Sequence, residues 1–340
     1  PLKASVWVVD LFSKVPYSSV WVTTPAILEI ALFYGLVMCI LEFKRYRVAR
    51  YAFAIALITF IIDYGYWYHR LYHNPNLKVT FISIGQGDSS LVEFPGGKRM
   101  LIDGGGFHSD DFDVGEKVIA PFLWKNKIKR VDYLVLSHPQ ADHLKGLTFI
   151  ARNFGVKEFW WNGDKGGEEF VELMDVVNKK GIKKAVINAT TLSLEIKGAK
   201  LEFLHPPEGS HPLSVNDRSL VIKITYGKVR LLFPGDIQKN GEALLLNSNK
   251  DLKATVLKVP HHGSRTSSTA GFTDRVSPEV VVISVGYDNP FRFPHPEVVE
   301  GYKGAGSLIY RTDVDGAVTV ETDGLGLRVE RYAISPSSGG

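Results

Sequence analysis

Residues 137–143 read Ser-His-Pro-Gln-Ala-Asp-His and follow directly on an apolar run, Val131–Leu136. A β-strand that stops there presents His138, Asp142 and His143 together in one loop. Imidazole and carboxylate donors suit zinc, manganese or iron, and an ion with an open coordination position makes water nucleophilic near neutral pH. Taken alone, such a loop is equally well read as a polar turn that caps a helix. Two more strand ends carry donors of the same kind. Phe233-Pro-Gly-Asp236 closes an apolar strand with a carboxylate, and Val259-Pro-His-His-Gly-Ser264 closes another with an imidazole pair. One such ending is ordinary turn chemistry; three in order are what a metal site at the edge of a sheet sandwich requires. The single cysteine, Cys39, excludes an internal disulfide and any cysteine-based metal finger. Any metal must therefore rest on His, Asp, Glu or neutral oxygen donors.

The elements that position these loops follow from the patterning. From Lys78 onward the chain alternates strand and helix signals. Strands are expected at 78–84, 90–94, 99–102 and 131–136, then at 192–196, 199–204, 219–226 and 228–233, then at 254–259 and 279–285. Helices are expected at 116–125, 144–153, 168–180, 239–248 and 296–304, and a terminal hairpin at 307–321. Strands, helices, strands, helices, strands fit two stacked sheets with helices outside, an αββα sandwich. Asp88 and Asp103 each lie in a glycine-rich turn after a strand. They are read as acceptors that orient metal-binding histidines rather than as ligands. His205 is read as structural, and His69, His73, His108 and His211 as surface or interface residues.

The first part of the chain differs in character. Residues 25–43 carry charge only at Glu29 and Glu42, and residues 51–68 only at Asp63. Each stretch is close to the roughly 20 residues an α-helix needs to cross a bilayer. Lys44, Arg45, Arg47 and Arg50 lie between them, a loop expected on the cytoplasmic side, so the second helix leads outward. Tyr64, Tyr66, Trp67 and Tyr68 stand where an interfacial aromatic belt would be. Residues 1–24 are apolar but broken by Pro16, and are read as membrane-surface or inter-helix packing. The expected organisation is a membrane part at 1–75, a globular domain at 76–332 and a flexible tail at 333–340. A net charge of +4 with 22% charged residues is only mildly basic. It permits DNA or a membrane surface as partner without demanding either.

The segments IGQGDS (84–89), LIDGGG (101–106), LSHPQADHLKG (136–146), NDRSLVIKI (216–224), LLFPGD (231–236), LKVPHHGS (257–264) and SVGYDNPFRFPHPEVV (284–299) together resemble the metallo-β-lactamase fold, specifically the carboxy-terminal domain of ComEC-family DNA-uptake proteins. The upstream apolar stretches resemble the end of that family's membrane competence domain. The resemblance implies a metallo-β-lactamase-like α/β sandwich after two transmembrane helices, with one or two divalent metals, zinc or manganese. It implies His138, Asp142, His143, Asp236 and one imidazole of the 261–262 pair as ligands, His262 before His261, with His295 as a further candidate. The chain departs from the superfamily pattern at Gln140, where a second histidine is expected, and at 216–219, which lacks a further one. These departures point to one firm and one weak metal position, or to a site without catalysis. The resemblance further implies an extracytoplasmic nuclease that degrades one strand of incoming DNA, with Asp142 positioning or deprotonating water, and with other parts of an uptake machine as partners. Asn216, Ser219, Ser264 and Arg265 are the expected phosphate contacts, while Lys125, Lys127, Lys129 and Arg130 form a basic cluster read first as a solvated face and only second as a contact for the DNA backbone. The rivals are a DNA-binding module that feeds the channel, and a hydrolase of small esters.

Overall fold

Apolar side chains on both faces of a strand require cover on both sides, and the chain meets that demand with two sheets. The computed structural model describes residues 2–15, 20–106, 112–209 and 213–332. The first sheet holds β1 (Leu77–Phe81), β2 (Ser90–Glu93), β3 (Arg99–Ile102), β4 (Arg130–Leu136), β5 (Gly155–Trp161) and β6 (Lys183–Val186). The second holds β7 (Leu194–Ile196), β8 (Ala199–His205), β9 (Val221–Tyr226), β10 (Val229–Phe233), β11 (Val256–Lys258), β12 (Val280–Ile283) and β13 (Leu308–Arg311). The chain then returns to the first sheet as β14 (Ala317–Thr322) and β15 (Leu327–Tyr332). The spatial orders are β15-β14-β1-β2-β3-β4-β5-β6 and β13-β12-β11-β10-β9-β8-β7. Strands β3 to β6 and β10 to β13 run parallel, which requires crossover connections.

Helices supply those connections and the outer layers. In chain order they are α1 (Leu2–Ser13), α2 (Ile27–Leu41), α3 (Arg47–Tyr72), α4 (Ala120–Lys125), α5 (Ala141–Asn153), α6 (Glu168–Lys179), α7 (Lys239–Asn247), α8 (Ala270–Val276), α9 (Pro296–Gly304) and α10 (Thr312–Asp315). Strand β4 shows the two-residue period that ties the layers together. Tyr133 and Val135 enter the core between the sheets with Phe81, Phe203, Ile222 and Leu231. Leu134 and Leu136 face Leu123, Leu147, Ile150 and Leu173 of α4, α5 and α6. On the other side Leu232, Leu257 and Val281 pack on Phe272 and Tyr302 of α8 and α9.

Two expectations change. The terminal hairpin expected at 307–321 does not form: β13 pairs with β12 in the second sheet and β14 with β1 in the first, and the hairpin is β14–β15. The short helix α10 carries the chain from one sheet to the other, an exchange no local pattern announces. Strands β5 and β6 also escape the periodicity, because β6 is an edge strand that opens with Lys183 and Lys184. Charge of that kind protects an edge and erases its apolar signal.

Of the two stretches expected to cross a membrane, only α3, with 26 residues, is long and apolar enough. Helix α2 ends at Leu41, before Glu42, and its 15 residues fall short of roughly 20. The first part of the chain is fastened to the rest, α3 to β3 and the segment before α2 to α4. Arg99 Nη2 donates to Leu71 O at 3.0 Å, and Trp21 stacks on Trp124 with centroids 4.7 Å apart. Lys127, one of the basic cluster at 125–130, is paired with Glu29 and lies over the Trp67 ring. His69 and His73, exposed, stack on each other. The tail 333–340, His108 and His211 lie outside the described residues.

Glycine sets how closely α5 seats on the first sheet. A Cβ on Gly146 would stand 2.2 Å from the carbonyl oxygen of Gly104. Gly146→Ala is therefore expected to destabilise the detergent-solubilised chain by about 1–3 kcal/mol, the usual cost of overpacking, measured by denaturant unfolding. Because Asp142 and His143 open the same helix, the variant is also expected to bind divalent metal more weakly.

Candidate metal centre

The donors gather at the carboxyl ends of four strands. Residues after β4 carry His138, Asp142 and His143; Asp236 follows β10, His261 and His262 follow β11, and Asp103 follows β3. Several of these residues have backbones that favour glycine: φ is +61° at Asp103, +50° at His261 and +54° at His262. Such conformations cost of order 1–3 kcal/mol each and gather at functional sites. Asp142 lies in the first turn of α5, where the helix dipole favours a carboxylate.

One oxygen of Asp236, Oδ2, is the meeting point. It lies 3.2 Å from His143 Nε2 and 3.3 Å from His262 Nε2. The same His262 nitrogen lies 3.4 Å from Asp142 Oδ2. Asp88, His143, Asp236 and His262 are all buried and offer one donor atom each within 4.8 Å of one another. The far side of each ring is held from behind. His143 Nδ1 is 2.9 Å from Asp103 Oδ2, and His262 Nδ1 donates to Ser284 O at 2.9 Å. Asp103 Oδ1 accepts from the Ser137 backbone N–H at 2.7 Å. These bonds leave Nε2 of both rings as the forward nitrogen, the arrangement a metal-ligating histidine uses.

The donor set fits a divalent cation. His143 Nε2 and His262 Nε2 are buried with no hydrogen-bond partner, a costly state unless a ligand satisfies them. Burial alone would keep these groups neutral, but their mutual charges outweigh it. Asp236, Asp88 and Asp142 hold His262 up at about 10. Asp236 and Asp103 hold His143 well above the usual range. In return His262, His143 and Lys258 hold Asp236 well below the carboxylate range. Asp142 is likewise held low against its burial, by His262 and His143, yet its side chain is 31% exposed. The cluster thus opens to solvent on the Asp142 side.

The remaining sequence-expected residues are placed as follows. His138 is buried. Its Nδ1 lies 3.0 Å from Ser137 Oγ and 3.2 Å from Ser219 Oγ, and its Nε2 lies 3.1 Å from Gln140 Oε1. Burial and the neighbouring His143 push it down to about 4. It stands beside the converging group, its ring 4.2 Å from that of His143, but outside it. His261 is also outside, 3.0 Å from Thr266 Oγ1 and 3.4 Å from Asn216 Nδ2. His295 keeps a buried Nδ1 without a partner, and His205 Nε2 donates to Asp217 O. Asp88 is buried in the same cluster but approaches the rings from behind, its Oδ1 3.6 Å from His262 Nδ1 and its Oδ2 3.8 Å from His143 Nδ1, and it is ion-paired with Lys258. Two expected phosphate contacts are buried. Ser219 is fully buried and its Oγ accepts from the Asp236 N–H at 3.0 Å. Ser264 is buried and bonds Thr266. Arg265 remains exposed, 3.7 Å from Glu297.

Lys258 was missed by the sequence reading. Its ammonium is buried between Asp88, with which it is ion-paired, and Asp236 Oδ1 at 3.6 Å. Burial disfavours its charge, but the two carboxylates raise its pKa. The signal was present: one lysine inside the apolar run Val256–Val259, where a charge needs a buried partner. Lys258→Met is expected to cost about 3–5 kcal/mol in unfolding experiments, since it leaves buried carboxylates unpaired. The double variant Lys258→Met/Asp88→Asn is expected to recover part of that loss.

Comparison with known proteins agrees with this geometry. Residues 82–287 match the family model of the metallo-beta-lactamase superfamily. ComE operon protein 3 of Bacillus subtilis (strain 168) is 32% identical over 253 residues, covering 71% of this chain and 32% of that protein. Competence protein ComA of Neisseria gonorrhoeae is 30% identical over 259 residues, 75% of this chain and 34% of that protein. Recombination protein 2 of Haemophilus influenzae is 28% identical over 300 residues, 87% of this chain and 35% of that protein. The chain thus spans about a third of the length of the curated relatives it matches. It belongs to the metallo-beta-lactamase superfamily, and its relatives there are the ComEC-family competence proteins.

Proposed function

We propose that this chain is the carboxy-terminal part of a DNA-uptake membrane protein whose metallo-β-lactamase domain cleaves phosphodiester bonds in one strand of incoming DNA. The observation that carries this reading is the pair of buried, unpartnered Nε2 atoms of His143 and His262 that converge on Asp236 Oδ2 beside the partly exposed Asp142. The competence names of the relatives support DNA as the substrate. In this reading His143, Asp236, His262 and Asp142 hold a divalent cation, zinc or manganese. When bound, such an ion stabilises charge developing on phosphoryl oxygens and makes water nucleophilic near neutral pH. Asp103 and the Ser284 carbonyl keep the two imidazoles aimed. Asp142, the exposed carboxylate, positions the attacking water and accepts its proton. Lys258 holds the other oxygen of Asp236 from behind.

Residues 1–75 are read as the end of a membrane domain and 76–332 as the hydrolase domain. The basic residues Lys44, Arg45, Arg47 and Arg50, between α2 and α3, favour a cytoplasmic loop, so that α3 leads outward and the domain lies on the extracytoplasmic face. A topology reporter fused after Tyr72 is expected to be active only outside the cytoplasm; cytoplasmic activity would remove the entry role. A second reading has its own support. Gln140 closes His138 Nε2, which favours a single metal, or a module that grips DNA without cutting it.

The deciding experiment measures metal content of the detergent-solubilised chain together with cleavage of an end-labelled oligonucleotide in manganese and in zinc. Bound metal with cleavage that Asp142→Ala removes is the expected result. DNA binding with no metal and no cleavage would establish the gripping module instead.

A further inference from the structure

Beside the metal centre lies a cavity of about 390 Å³, walled by Gly85, Gln86, Ala141, Asp142, Tyr287 and Phe291, within the usual range for small-ligand sites of roughly 300–1,000 Å³. Asp142 is common to both sites. Two large aromatic rings stand at the cavity rim, Tyr287 85% exposed and Phe291 46% exposed. A lone exposed ring is unremarkable, but these two share one loop and that loop is held rigidly. Asn289 Nδ2 donates to Gly286 O at 3.0 Å and Phe293 O at 2.7 Å, and its Oδ1 accepts from the Phe293 N–H at 3.0 Å. The rings continue inward. Phe291 stacks on Phe293 at 5.5 Å, and Phe293 stacks on His262 at 6.5 Å. Arg292, exposed on the same loop, borders an adjoining cavity of about 400 Å³. Its guanidinium has no carboxylate partner among the described residues, although Asp288 lies on the same turn.

We propose that Tyr287 and Phe291 form a preformed stacking platform for one unpaired nucleobase of a DNA strand whose backbone crosses the metal centre at Asp142, with Arg292 facing the neighbouring phosphate. Flat aromatic surface beside a cation is how proteins hold single strands without reading their sequence. A base within a duplex has both faces covered by its neighbours, so the platform selects single-stranded DNA or a frayed end. The proposal rests on the phosphodiester reading above and names its substrate class.

The test uses the full chain in detergent and the anisotropy of a short fluorescent oligothymidylate, with EDTA present to prevent cleavage. Tyr287→Ala and Phe291→Ala are each expected to weaken binding by about 5- to 150-fold, while Tyr287→Trp keeps it. With an otherwise identical abasic oligonucleotide the alanine penalty is expected to vanish, and metal content is expected to stay unchanged. Alanine variants that bind oligothymidylate as tightly as the wild type, or lose the abasic strand equally, would overturn the platform while wild-type cleavage leaves the phosphodiester reading standing. A wild-type chain that neither binds nor cleaves oligonucleotides overturns both.

Discussion

Replacing Asp236 with alanine is expected to abolish metal binding and to lower any phosphodiester hydrolysis by about a thousandfold or more. Its Oδ2 lies within 3.3 Å of both His143 Nε2 and His262 Nε2. Without it the two imidazoles lose the carboxylate that brings them together, and Lys258 loses one of its two neighbours. A metal that stabilises transition-state charge is worth several kcal/mol, and each 1.36 kcal/mol is about tenfold in rate. Asp236→Asn separates charge from shape: it keeps the packing and is expected to retain the fold, by circular dichroism, while losing the metal. Elemental analysis of both variants decides the matter. Full metal content in Asp236→Ala would show that the converging donors are not the site.

Metal affinity is expected to be steeply dependent on pH. In the metal-free protein the neighbouring carboxylates hold His262 at about 10 and His143 well above its usual range, so they favour the protonated rings. A cation binds the neutral imidazoles, so its entry expels protons and the apparent affinity falls on acidification. Titration calorimetry in buffers of different ionisation enthalpy counts those protons directly. A count near zero would mean that the histidines do not receive the metal. The same shifts fix the sign of stability in the metal-free chain. A histidine whose folded pKa lies above its unfolded value contributes stability that is complete below the unfolded value and is lost as pH rises through the folded one. The EDTA-treated protein is therefore expected to lose thermal stability between neutral pH and about 10, through His262. Added zinc or manganese should reverse that trend.

Much of the site was legible as strand endings. The runs before His138, Phe233 and Val259 are apolar enough to be strands whatever surrounds them, and each stops at a residue with metal chemistry. Lys258 was less visible, because its partners Asp88 and Asp236 come from turns 170 and 22 residues away. The burial of Ser219 and Ser264 was hidden for a related reason. A hydroxyl next to a histidine looks available in one dimension, but both are buried by loops from other strands.

What the residues alone determined was the alternation that makes two covered sheets, the metal-suited donors at their ends and the apolar helices ahead of them. Those properties are local: a two-residue period, a turn glycine and an imidazole need no distant partner to be read. Tertiary structure alone decided that β13 and β14 part into different sheets. It also chose His262 rather than His261 to face Asp236, and closed His138 against Gln140. Each of these depends on which strands become neighbours. That choice is set by burying the whole apolar surface at once, and no short window of sequence contains it.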